Sequence, residues 1–134
     1  MVELQDFNEY LMQLSGLPTP YNFPYHIYGS KAFTVAGSYD VTFTVPATTD
    51  IYHLTNVTVI ANILSYQIAK VYSNDSLIYY EYSKKPINWI LGKERAISFF
   101  TGDTLKLTVT HIGATARTHH WCISFWRESG VSEA

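Results

Sequence analysis

Large apolar side chains recur at helical spacing only near the start of the chain. Leu4, Phe7, Leu11 and Leu14 form one stripe, with Tyr10 and Met12 widening it. Glu3 and Asp6 sit where a helix N-terminus is positive, and Gly16 follows the last turn as a stop signal. The spacing predicts a short amphipathic helix within residues 1–16. It is too short to persist alone in water, so its stripe needs a docking partner, in its own domain or in a neighbour. The next segment, LPTPYNFPY (17–25), holds three prolines and predicts an extended connector.

The β-domain is expected over 26–134. After Lys31 the period falls to two. Phe33 and Val35 begin it, Gly37-Ser38 supplies a turn, and Tyr39, Val41, Phe43 and Val45 then alternate with Asp40, Thr42 and Thr44. Further strands are expected at 51–62, 67–73, 76–82, 95–100, 104–111 and 117–127, punctuated by Asn74-Asp75, Gly102-Asp103 and Gly113-Ala114. Residues 83–93 are the longest gap and are expected as a surface loop. About eight short strands without interleaved helices predict an all-β fold: an antiparallel two-sheet sandwich, jelly-roll-like, with a closed barrel as runner-up.

The last two strands invite a register. Leu105, Leu107 and Val109 share one face, as do Trp121, Ile123 and Phe125. If these strands form a hairpin, Leu107 falls opposite Trp121 and Leu105 opposite Ile123, across a three-residue loop at 113–115. His119 then points to the core opposite Val109. The reverse face carries Thr118, His120, Cys122, Ser124 and Trp126, polar but lightly charged, and meets either solvent or a neighbouring subunit.

Charge and composition narrow the function. Of 134 residues, 47% are apolar and only 15% charged, which excludes a disordered chain and leaves little charge to keep surfaces apart. The net charge of −2 and scattered Lys and Arg argue against nucleic acid. No run is long enough for a membrane span. The acidic start lacks the form of a signal peptide, which points to cytoplasmic synthesis and leaves the Asn56 and Asn74 sequons without sugar. Cys122 is the single cysteine, so no intramolecular disulfide forms.

Catalytic patterns are sparse. His119 and His120 are adjacent and point to opposite faces of a strand; His111 and His119 can share a face, but no third ligand is placed by sequence. A metal-dependent β-barrel enzyme is therefore the third reading. His120 and Cys122 share a face without an oxyanion turn, and an inert cysteine is the simpler reading. Asp40, Asp50, Asp75 and Asp103 fall at turns or strand ends, where local backbone hydrogen bonds account for them. No phosphate loop or dinucleotide fingerprint occurs. The sequence thus favours a non-enzyme without cofactor or metal. Aromatic residues are abundant, at 16%. Ile78, Tyr80 and Tyr82 share one strand face. Tyr80, Tyr82, Trp89 and Trp126 are the candidate partner or glycan surface, and self-association is favoured because low charge accompanies the aromatics.

Three segments, FTVPATTDIYHLTNVTV (43–59), SNDSLIYY (73–80) and GDTLKLTV (102–109), resemble the small jelly-roll structural proteins of virus and phage particles, of capsid, decoration or fibre-head type. The resemblance covers about residues 31–127 and rests on sandwich turns that also occur in carbohydrate-binding modules. It implies a jelly roll, no cofactor, residence in the virion, and assembly as a homo-oligomer such as a trimer together with other assembly proteins. Within that expectation, Leu4, Phe7, Leu11 and Leu14 are the candidate anchor. A carbohydrate-binding attachment module is the alternative.

Overall fold

A computed structural model describes residues 22–91 and 95–129. The expected N-terminal helix, with Leu4, Phe7, Leu11 and Leu14, lies outside the described residues. Nine strands make up the described part: β1 (Asn22–Phe33), β2 (Gly37–Thr44), β3 (Ile51–Ala61), β4 (Gln67–Ser73), β5 (Ser76–Ser83), β6 (Ile87–Ile90), β7 (Ile97–Phe99), β8 (Thr104–His111) and β9 (Arg117–Glu128). They form two antiparallel sheets. The first runs β1-β9-β3-β6, with β7 also pairing β3; the second runs β2-β8-β4-β5. The expected sandwich is present. No helix among the described residues is long and apolar enough to cross a membrane.

Alternation builds the core. Leu105, Leu107 and Val109 of β8 face Trp121, Ile123 and Phe125 of β9, and Leu54, Val57, Val59, Ala69, Val71, Ile87 and Phe99 complete the dry layer. Each such side chain gives roughly 1.5–3 kcal/mol on burial before ordering costs. Two bulges keep the alternation in phase. Thr55 is the extra residue on β3, between Leu54 and Asn56, and its carbonyl accepts from Leu91 N–H. Ile78 is skipped where β5 pairs β4, so Ile78 and Tyr79 both pack on the core.

The structure departs from the sequence expectations in four places. β1 begins at Asn22, inside the expected connector 17–25. Tyr25 and Ile27 pack inward there, because a strand at the edge of a sheet tolerates Pro24. β6 occupies part of the expected 83–93 loop. β6 and β7 both pair β3, β6 at Asn56–Val59 and β7 at Tyr52–Leu54, so they share its edge. Ile78 does not share an outward face with Tyr80 and Tyr82, because of the bulge. Finally, β8 and β9 are not a hairpin. β8 pairs β2 and β4, whereas β9 pairs β1 and β3. The inward faces read from alternation are correct, but they meet across the sandwich rather than edge to edge.

The Val-Pro-Ala, Asn-Asp and Gly-Asp segments converge at one end. Val45 N–H donates to Asp103 C=O at 2.9 Å, Gly102 N–H to Val45 C=O at 3.0 Å, and Asn74 N–H to Thr104 C=O at 2.8 Å. Thr104 N–H returns to Asn74 Oδ1 at 2.8 Å, and Asn74 Nδ2 donates to Asp103 Oδ1 at 3.1 Å. Asn74, Asp75 and Gly102 have φ of 47°, 68° and 86°, the left-handed conformations such turns need. These motifs are therefore turn locks.

Gly29 marks the closest approach within the first sheet. A Cβ there would stand 2.6 Å from Trp121 Cζ2. Gly29→Ala is expected to force the indole from its place and cost about 1–3 kcal/mol. Urea unfolding should show a lower midpoint with an unchanged slope. An unchanged midpoint would mean that the indole relocates freely.

Candidate functional site

The outer face of the first sheet carries His26, Tyr28 and Ser30 from β1, His120, Cys122, Ser124, Trp126 and Glu128 from β9, His53, Asn56, Thr58 and Ile60 from β3, and Asn88 and Ile90 from β6. Hydrogen bonds knit it together. His26 Nδ1 bonds Ser124 Oγ at 2.9 Å, Ser30 Oγ bonds His120 Nδ1 at 2.6 Å, and Thr58 Oγ1 donates to Asn88 Oδ1 at 3.0 Å. His53 stacks on Trp126 at 4.6 Å, with its nitrogens on Ser98 Oγ and Glu128 Oε1, both at 2.9 Å. Among the described residues of this face, Glu128 is the one formal charge, and it sits at the rim against His53. Tyr28, Ile90 and Ile60 stand in the open, at 77%, 66% and 39% exposure.

The outer face of the second sheet differs. It carries Tyr80 and Tyr82 on β5, Lys70 and Tyr72 on β4, Lys106 and Thr108 on β8, and Asp40 on β2. Lys70 lies over Tyr80 at 5.9 Å, Lys106 over Tyr72 at 4.5 Å, and Lys84 over Tyr66 at 5.8 Å, while Tyr66 and Tyr82 stack at 5.3 Å. The ammonium groups occupy the ring faces a sugar would use.

The four aromatic residues expected as one surface are not one surface. Tyr80 and Tyr82 share the outer face of the second sheet. Trp126 lies on the outer face of the first, on the opposite side of the molecule. Trp89 is on β6, half-buried, stacked on Tyr79 at 4.4 Å. Tyr79 in turn hydrogen bonds Glu81, so the pair closes the side of the sandwich between β5 and β6. Tyr28, Ile60 and Ile90 were missed. Tyr28 lay in a stretch whose alternation is blurred by an aromatic on the wet side, and the two isoleucines are apolar at outward positions.

His111 and His119, whose shared face alternation predicts, meet at the far end from the turn locks. Both are fully buried. His111 Nε2 donates to Thr115 C=O at 2.8 Å, His119 Nε2 lies 3.0 Å from His111 Nδ1, and His119 Nδ1 lies 2.8 Å from Gln67 Oε1. The Gln67 amide nitrogen is committed to Val59 C=O and Lys85 C=O, so its oxygen must accept. Three links thus call for three ring protons, and two neutral imidazoles carry two. One link is left with lone pairs facing each other. A third proton would complete the chain, but burial first, then the His111 and His120 charges, push the His119 pKa down to about 4. Among the described residues no three His, Cys, Asp or Glu side chains converge as a metal site.

Comparison with known proteins adds the fold alone. No family model and no curated protein matches the sequence. The chain is similar to part of the crystal structure of dimeric latent PorU from Porphyromonas gingivalis. The TM-score is 0.51 at 12% identity, over 82% of this chain and 13% of that one. It therefore spans a small fraction of PorU, and the likeness concerns the path of the strands.

The His119 shift fixes the sign of an acid effect. Its folded pKa, about 4, lies below the 6.5 of a free histidine, so the unfolded chain binds the extra proton first. Stability from this site is complete above pH 6.5 and falls as pH drops toward 4. Denaturant midpoints should decline across that window in the native chain and decline less steeply in His119→Gln. Equal slopes in the two would assign the acid sensitivity to other groups.

Proposed function

We propose that this chain is a non-catalytic structural protein that associates with copies of itself, as a component of a virus or phage particle. One observation carries the reading. Among the described residues, the outer face of a five-stranded sheet has its formal charge confined to Glu128 at the rim and holds Tyr28, Ile60 and Ile90 in the open. Surfaces that must stay apart in solution are dressed with interspersed charge, and this one is not. Its polar groups are largely bonded to each other, so covering it demands few new hydrogen bonds. The strand order is consistent with the reading: β1-β9-β3-β6 against β2-β8-β4-β5 is the interleaved winding of a jelly roll, two Greek keys in one sandwich. The expected partners are copies of the chain and other assembly proteins, and the expected location is the particle. Glycan attachment is the weaker reading, because Tyr80 lies under Lys70 and Tyr82 is stacked on Tyr66.

Sedimentation velocity from micromolar to near-millimolar protein tests this. A species of defined copy number above one is expected. A strict monomer throughout that range, with or without particle proteins added, would remove the proposal.

A further inference from the structure

The four edges of the two sheets are not alike. β6 and β7 are short, at 4 and 3 residues. β5 pairs across a bulge and carries Glu81, with Lys84 and Lys85 just beyond its end. β2 carries Asp40 at its middle, which accepts from Thr108 Oγ1. Each of these has a feature that discourages another strand from adding on: brevity, a bulge or a charge.

β1 carries such features only at Pro24 and Lys31, which flank an unbroken run of six residues. It is 12 residues long and pairs β9 through twelve consecutive positions without a register shift. From Tyr25 to Ser30 it has neither a charged side chain nor a proline. Among the described residues nothing pairs its other side. Tyr28, at its middle, is the most exposed large hydrophobic side chain described.

We propose that β1 is a pairing edge, and that its partner is β1 of a second copy, antiparallel about a twofold axis. This rests on the self-association proposed above and adds to the outer face named there a second contact, the sheet edge. A second copy fits for three reasons. An antiparallel pair of identical strands is self-complementary, so one edge satisfies both partners. The run Tyr25–Ser30 brings no like charges together. The uncharged outer face continues across the junction, joining two five-stranded sheets into one of ten strands.

The pleat restricts the register. Side chains opposite each other in an antiparallel pair point to the same side, so outward residues must meet outward residues. Paired residue numbers therefore sum to an even number. Centred on the exposed ring, Tyr28 stands opposite Tyr28 of the second copy and His26 opposite Ser30. The exposed tyrosine becomes a cross-strand aromatic pair.

Tyr28→Lys tests the edge, with Leu77→Lys, on the outer face of the second sheet and 53% exposed, as the comparison. Both positions are exposed, so both variants should fold, as circular dichroism can verify. The unaltered chain is expected to be a dimer or a multiple of one. Tyr28→Lys, which sets two ammonium groups opposite each other, should weaken association about tenfold or more, and Leu77→Lys should not. Hydrogen exchange of the β1 amides that do not bond β9 should be slow in the unaltered chain and fast in Tyr28→Lys, with β2 the same in both. An oligomer that survives Tyr28→Lys with β1 exchange unchanged would overturn the edge and leave self-association standing. A monomeric unaltered chain would overturn self-association itself. Slow β1 exchange in that monomer would assign the edge to residues 1–21 of the same chain.

Discussion

Two sheets share one dry layer, and every strand must supply alternate side chains to it. That constraint explains most of the molecule. It sets the period of two along the strands and requires β3 and β5 to insert an extra residue where their own sequence would fall out of phase. It also makes Gly29 small, because Trp121 fills the space where a side chain would sit. Core side chains from β8 and β9 meet across this layer, so packing does most to hold the two sheets together, with hydrogen bonds between them at Gln67, His111 and His119.

Among the described residues the buried polar side chains lie at the two ends, and their chemistry differs between them. At one end Arg127 reaches Asp50, with Nε 2.7 Å and Nη2 2.6 Å from Oδ2, and its guanidinium lies 5.2 Å from the centre of Tyr52. Asp50 is 8% exposed, so the pair is partly desolvated. Such a pair contributes little against an apolar replacement but fixes where the chain passes. Asn74 and Asp103 tie the neighbouring turns. At the other end the His111–His119–Gln67 chain spans both sheets and is one proton short. One end is locked by satisfied bonds, and the other is held by an arrangement that acid can disturb.

Alternation in the sequence reveals which side of a strand is wet, and does so well. Leu105, Leu107, Val109, His119, Trp121, Ile123 and Phe125 all point where their spacing says. Alternation is silent about whether two inward faces lie edge to edge or face to face, and this is why β8 and β9 were read as a hairpin. A five-residue link can turn a hairpin or cross between sheets equally well. β1 escaped because its prolines suggested a connector, and a strand with one free edge tolerates proline. β6 escaped because four residues are too few to show a period. The candidate surface was half legible. The lightly charged face of β9 is plain in the sequence. Its continuation through Tyr28, Ile60 and Ile90 needs the sheet order, which sets segments far apart in sequence side by side.

The sheet order has a consequence for how the chain comes together. β1 is hydrogen bonded to β9, and β9 is also the neighbour of β3, so the middle of the first sheet is made by the last of the described strands to leave the ribosome. Residues 22 and 128 are partners. A growing chain can close the β4–β5 turn early, but β1 and β3 wait for a strand between them. Contacts this distant along the chain carry the full loop-closure entropy before any return, which puts such folds among the slow ones. During that wait β1 presents two open edges rather than one. Nascent chains crowded on one message would then be poised to exchange β9 strands, and dilution during synthesis would favour closure within each chain.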